Sequence, residues 1–430
     1  MMKELFSRAR FRSGLRATFL SLKHRNFRLY FIGQSVSNTG NWLTNIALTL
    51  LVLKITGSGL DVGLLAAFQY GPILLLSAYG GAIADRVDKR KFLLLTQTLE
   101  MAESIGLAIL AFSHHPPLGG LFALAVAGGI FLAFDNPLRR SFVSEMVPRE
   151  DIPNAVVLYS TIVNISRIFG PALAGLLVVT VGYGWAFTAD AASYLIVLFC
   201  LFIMRPSELH RPPKKPRTKG DVRAGLRYVF SMPLLWISFV MLAGIGTLSY
   251  NFNVTLPIFV SDSLHSSNAT YTILYSVLSL GAVVVSLIIA RKGLTRMRHI
   301  VVGAAAFGVT LLLLGFSPGI DTAIPIIFLV GMASILYTTS TTAMVQVESD
   351  PGMVGRVLAL QTVLLAGPKA IGGPILGWLA DNFGGRPPII LGGIVCLVAT
   401  IFGYYASKRY IHAPPPANKN QINEPLDISD

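Results

Sequence analysis

The sequence predicts an all-α membrane protein of twelve transmembrane helices, arranged as two pseudo-symmetric six-helix halves. Three observations predict it. Of the 430 residues, 53% are hydrophobic and only 13% are charged, with a mean hydropathy of +0.63; no soluble domain of this size needs such a composition. The apolar residues fall into twelve runs, most of them about 20 residues or more, enough to cross a hydrocarbon core of roughly 30 Å as helices. Finally, 31 of the 35 Lys and Arg residues lie in the N-terminal segment, in alternate loops and in the C-terminal tail. Cations are retained on the cytoplasmic side, so both termini are expected there.

The same placement disposes of a nucleic-acid reading of the +14 net charge, because the basic residues fill gaps between apolar runs and form no single basic face. Residues 1–27 carry a Phe11, Leu15, Leu22 stripe among cations, as expected of an amphipathic segment on an anionic leaflet. No small-residue cleavage site follows it, so it does not read as a cleaved signal peptide. The first half, 28–204, holds runs near 28–54, 61–84, 92–112, 118–138, 154–181 and 184–204. A linker, 205–232, opens with Pro206, Pro212, Pro213 and Pro216, which break any helix, and closes with a short amphipathic stretch. The second half, 233–408, holds runs near 233–260, 269–290, 299–317, 322–345, 355–380 and 387–407. The tail, 409–430, is polar and Pro/Asn-rich, with the composition of a disordered segment.

The halves repeat. Pro148 is followed 22 residues later by Gly170-Pro171, and Pro351 is followed 22 residues later by Gly373-Pro374. The shared offset makes the fifth and eleventh spans equivalent, and both Gly-Pro pairs are expected to kink their helices, whether for packing alone or to shape a site. Repeated halves meeting at a midplane site are a common plan for secondary transporters.

Polar residues inside the runs are the candidate functional groups. Gln34, Asn38, Asn41 and Asn45 fall on one face of the first span. Four amides facing lipid are costly, so the stripe either ties helices together or walls a cavity, with Trp42 beside it. Asn251 with Tyr250 and Asn253, and Tyr337 with the Thr/Ser run up to Thr342, are candidates for the opposite wall. Arg167 and Lys369 stand four and five residues before Pro171 and Pro374, at roughly 18 Å depth. Each needs a carboxylate or an anionic ligand, with Glu103 and Asp190 as available resting partners. Glu103, with Glu100 one turn away, sits at a depth where an ionised carboxylate is hard to sustain; it is the first candidate for carrying a proton. Asp135, nearer water and Arg139, is the second.

One loop stands apart. Residues 81–91 form a short turn, Gly81-Ala82-Ile83-Ala84-Asp85-Arg86-Val87-Asp88-Lys89-Arg90-Lys91, between two apolar runs. Asp85 occupies the unfavourable end of the helix dipole, so it pairs with Arg86 or Arg90 or meets the N-terminus of another helix. The spacing Gly-x-x-x-Asp-Arg-x-x-Lys-Arg resembles the loop 2–3 signature of the major facilitator superfamily, usually written with Gly at the position of Asp88. Further similarities are Gly57-Ser58, Asn136-Pro137-x-Arg139, Val147-Pro148-Arg149-Glu150-Asp151-Ile152-Pro153-Asn154-Ala155, Gly225-Leu226-Arg227-Tyr228, Gly355-Arg356-Val357 and Gly377-Trp378-Leu379-Ala380-Asp381. They cover about residues 22–408 and look most like the bacterial branch of enterobactin exporters and macrolide efflux pumps. The run around Gly170-Pro171 resembles the antiporter core of that superfamily, with Ala174 in place of one glycine.

The resemblance implies alternating access, an ion gradient (protons most often) as the driving force, and export of small amphipathic or anionic compounds from a bacterial inner membrane by a monomer. It implies a gate at Gly81, Asp85, Arg86, Arg90 and Arg139, with Asp85 meeting the eleventh helix near Gly355. Uptake or lipid flipping by the same fold, or a non-transporting sensor or scaffold, are the alternatives. Enzyme chemistry finds no support: no phosphate loop, no Gly-x-Ser-x-Gly and no His or Cys pair at metal-binding spacing occurs, so neither a cofactor nor a metal is expected. Cys200 and Cys396 each lie inside an apolar run, where a structural disulfide is not expected.

Overall fold

A computed structural model describes residues 19–84, 87–210, 221–289, 297–350 and 353–411. Among the described residues the secondary structure is helical, with no strand. The helices are α1 (Arg25–Thr56), α2 (Gly59–Ala84), α3 (Lys89–Phe112), α4 (Leu118–Val143), α5 (Ile152–Thr180) and α6 (Tyr183–Phe202). They are followed by the short α7 (Asp221–Ser231), then α8 (Pro233–Leu248), α9 (Phe252–Ile258), α10 (Asn268–Ile289) and α11 (Met297–Gly315). The last are α12 (Ile320–Glu348), α13 (Val354–Ala366), α14 (Lys369–Phe383) and α15 (Arg386–Ile411). Among the described residues, eleven helical runs are long and apolar enough to cross a membrane. The 32-residue α1 is not among them, because its five amides and three cations dilute its hydropathy.

Helices α1 to α6 pack among themselves, α1 on α5 and α6, α3 on α4 and α6, and α2 on α4. Helices α10 and α11 flank α12, while α15 lies against α8 and α11. The main contacts between the sets run along α2 and α14 and along α5 and α10, with smaller ones from α9 to α1 and α2 and from α13 to α2. The α2–α14 seam is lined with glycine. A Cβ on Gly63 would strike the backbone of Gly373 and Pro374, and one on Gly377 would strike that of Gly59. Only glycine lets the two backbones come this close. Gly182 and Gly384, 202 residues apart, both hold positive φ (95° and 89°) ahead of α6 and α15, so the turns obey nearly the same offset as the Gly-Pro pairs.

One end of the bundle, here the near end, carries the starts of α1, α3 and α5 and the ends of α4 and α6. Asn26 exchanges hydrogen bonds with the backbone of Arg205 (2.9 Å each way), and Asp151 takes Lys23 and His24 at 3.0 and 2.7 Å. Asp88, at the position usually written as Gly, caps α3 by accepting from Lys91 N (3.2 Å); this gives the helix a favourable start. Linker helix α7 packs Gly225 against Arg356 and Leu360 of α13, and Tyr228 Oη accepts from Asp350 N at 2.9 Å.

The structure adds detail at three places. Helices α5 and α14 continue as helix through Pro171 and Pro374, and the glycine beside each proline seats a neighbour: Gly170 lies against Trp42, and Gly373 against Gly63 and Ala66. The eleventh span also breaks at Gly367-Pro368, and the seventh breaks at Ser249-Tyr250-Asn251, between α8 and α9. Helix α1 begins at Arg25, behind a short 3-10 turn at Leu20–Lys23. Asp85, Arg86, the residue 1–18 part of the basic segment and the tail from residue 412 lie outside the described residues.

Candidate substrate site and buried charge cluster

Arg167 of α5 and Lys369 of α14 come together where the two helix sets meet. Lys369 Nζ lies 5.1 Å from the centre of the Tyr70 ring of α2, and the Arg167 guanidinium lies 6.0 Å from that of Trp42 of α1. Trp42 in turn packs on Tyr275 of α10 with ring centres 5.6 Å apart. The two cations are near enough to repel one another, and Arg167 also acts on Tyr70 and Tyr275. Both are part-exposed, and neither has a carboxylate within ion-pair distance among the described residues. The aromatic faces offset part of this charge, and the remainder is available to an anion.

The expected resting acids are engaged elsewhere. Asp190 is 1% exposed and accepts from Thr44 (2.6 Å), Ser104 (2.8 Å) and Ser193 (3.3 Å). Gly40 leaves room for it, since a Cβ there would meet the Asp190 carboxylate. Glu103 makes no hydrogen bond or ion pair among the described residues; its carboxylate lies over Gly128, where a Cβ would displace it. It faces a polar cavity of about 80 Å³ lined also by Asn41, Asn45, Gln69, Glu100, Asp190 and Tyr194, roomy enough for several waters.

Next to that cavity lies a buried charge cluster. Arg139 donates to Glu100 Oε2 (2.8 Å) and Gln34 Oε1 (3.2 Å) and pairs with Asp135 through Nε. Asp135 also accepts from Thr96 (2.7 Å) and Gln97 (3.1 Å). Asp135 is 0% and Arg139 3% exposed. This corrects the expectation that Asp135 lies nearer water: α4 continues past Pro137 to Val143, and Asp135 and Arg139 both face the buried acids and amides of α1 and α3. Arg90 is bonded within the first helix set, donating to the carbonyls of Leu201 and Phe202 at 2.8 Å each. A cation is favourable at that end of α6.

The amide stripe of α1 divides along its length. Gln34 joins the charge cluster, and Asn38 donates back to Gln34 (2.7 and 3.2 Å). Asn41 accepts from Tyr194 Oη (2.9 Å). Asn45 reaches across to Asn253 of α9 (2.8 Å), whose amide also lies 3.5 Å from Tyr70 Oη. Asn251, in the break after α8, donates back to Thr247 O of that helix (2.5 Å), and Tyr337 is fully buried in the second set beside Gly303, so neither joins Arg167 and Lys369. Gly355 opens onto free space at the start of α13, and Gly81 lies near the end of α2. The sequence reading missed Tyr70 and Tyr275 as site residues; the signal for Tyr70 was the polar Gln69-Tyr70 pair interrupting an apolar run.

A bundle of membrane-crossing helices with cations gathered where two helix sets meet defines a membrane transporter. The chain matches the transmembrane secretion effector family over residues 16–429, and it belongs to that family of the major facilitator superfamily, whose members are transporters and not enzymes. The enterobactin exporter EntS of Shigella boydii serotype 18 is 26% identical over 411 residues, 91% of this chain and 95% of its own. The same exporter from Escherichia coli O139:H28 is equally similar, at 26% over the same shares. Among solved structures, a bacterial homolog of the human lysosomal transporter Spinster, inward-facing and unoccupied, superposes with a TM-score of 0.73 at 15% identity, covering 91% of this chain and 99% of that one. The POT family transporter PepTSo gives 0.76 at 11% identity, with the same coverage.

Proposed function

We propose that the protein is a proton-coupled exporter of small acidic or amphipathic compounds that works by alternating access. The observation that carries this reading is the Arg167–Lys369 pair, set among Trp42, Tyr70 and Tyr275 without a carboxylate partner. Such a site favours a planar, acidic or catechol-type compound, bound by charge and by stacking, and similarity to enterobactin exporters supports export. In this reading there are twelve spans, α8 with α9 and α13 with α14 each making one, in two six-helix halves joined by the linker. The near end, where most cations lie, is cytoplasmic, in a bacterial inner membrane. The site is then reached from the cytoplasm, and the protein acts as a monomer in the lipid bilayer.

Glu103 is the proposed proton carrier: it lines a cavity with room for water and has no ion pair or hydrogen bond among the described residues, whereas Asp135 and Glu100 are committed to Arg139. In proteoliposomes with an imposed pH gradient, the wild type is expected to accumulate an acidic substrate. Glu103→Gln is expected to bind it equally well but to stop concentrating it. Continued proton-driven accumulation by that variant would place the carrier elsewhere. At the cytoplasmic mouth, Asp85 is the proposed gate residue, meeting the start of α13 near Gly355 when that mouth closes. Asp85→Asn is expected to insert at wild-type levels and lose most transport, and normal transport by it rules the gate out.

A further inference from the structure

At the far end of the bundle, Asp381 closes a contact between the last turn of α14 and the first of α2. Its Oδ1 accepts from Gly59 N (2.5 Å), and its Oδ2 accepts from Leu60 N (2.9 Å) and from Ser58 Oγ (2.8 Å). Ser58 Oγ also accepts from Asp61 N (3.2 Å), so the first three backbone donors of α2 are all taken. These donors have no partner within a helix and carry its positive dipole end, which makes them a good seat for a carboxylate. The seat belongs to one helix set and the carboxylate to the other, 321 to 323 positions away in the chain.

We infer that Asp381 is a latch that holds the far mouth of the transporter shut, and that its release precedes opening on that side. The inference rests on the alternating-access reading. Two features suit a latch better than a fixed tie. Asp381 is solvent-exposed, so water can replace its partners on release at small cost. Helix α14 also holds α2 at a second point, where Lys369 lies over Tyr70. Lys369 and Asp381 are 12 residues apart, about 18 Å along the helix. An anion that draws Lys369 from Tyr70 therefore leaves Asp381 as the main polar hold between the two helices.

The test uses the full chain in lipid nanodiscs with spin labels at Ile55→Cys and Phe383→Cys, both exposed positions at the far end. The native Cys200 and Cys396 are buried and remain unlabelled. Pulsed EPR is expected to give mainly a short distance in the otherwise wild-type protein. Asp381→Asn and Asp381→Ala are expected to raise the long-distance population about tenfold, the effect of losing a helix cap together with its charge. Asp381→Glu, which keeps the carboxylate, is expected to recover much of the short distance, and the thermal midpoint should stay near wild type in all three. An unchanged distance distribution in the Asn and Ala variants, with substrate still shifting the wild type, overturns the latch alone. A distribution that neither substrate nor any variant moves overturns the latch and alternating access together.

Discussion

Replacing Arg167 and Lys369 together with glutamine is expected to abolish measurable binding of acidic compounds while leaving the protein folded. Each cation offers a charge-assisted contact, worth about 1.5–3 kcal/mol to a bound anion, so each single variant should weaken binding roughly tenfold to a hundredfold. Folding should survive, because neither cation holds an ion pair and both are part-exposed; removing mutual repulsion between them even favours the folded state. Titration of purified protein with a catechol-type acid and with a lipophilic cation separates the outcomes. The wild type should prefer the acid, and the double variant should lose that preference. A wild type that prefers the cation, with no change in the double variant, removes the anionic reading of the site.

Arg139→Ala is expected to have the largest effect on stability of any single change in the first helix set. It leaves Asp135 and the paired oxygen of Glu100 without their cation at almost complete burial. Breaking a buried pair in this way costs about 3–5 kcal/mol, a large share of a typical domain's total. Arg139→Lys should recover only part of the loss, since a single ammonium cannot reach Asp135, Glu100 and Gln34 with the geometry of a guanidinium. Detergent-solubilised yield and thermal aggregation temperature read the effect. An Arg139→Ala variant as stable as the wild type would mean that both acids are already neutral in the folded protein.

The spanning helices were legible because burial in lipid demands long apolar runs, and such runs survive in any order of residues. The rotation of each helix was not. Arg139 reads as a loop residue next to Arg140, at the end of an apolar run that stops at Leu138. Its inward position follows from one more turn of α4 and from an acid on α3, Glu100, that no local pattern reveals. Gly170 reads as half of a kink, and its use, seating Trp42, is visible only once α1 and α5 are side by side. Asp381 drew attention only as part of a resemblance, because its partners are more than 320 residues away. The stripe from Gln34 to Asn45 reads as either a tie between helices or a cavity wall, and it divides between the two, since Gln34 joins a charge cluster while Asn41 and Asn45 line a cavity. That it serves three different neighbourhoods depends on what stands opposite each turn.

The glycine-lined seam between α2 and α14 has a thermodynamic consequence. Gly59, Gly63, Gly373 and Gly377 meet as peptide against peptide, so separating them uncovers amide groups and very little hydrocarbon. Exposed polar surface lowers the heat capacity, whereas exposed apolar surface raises it, and glycine has no rotamers to freeze when the seam closes again. The seam itself should therefore add little curvature to the van't Hoff plot of the mouth's opening, and what curvature there is should come from the apolar side chains beside it, such as Ala66 and Ile258.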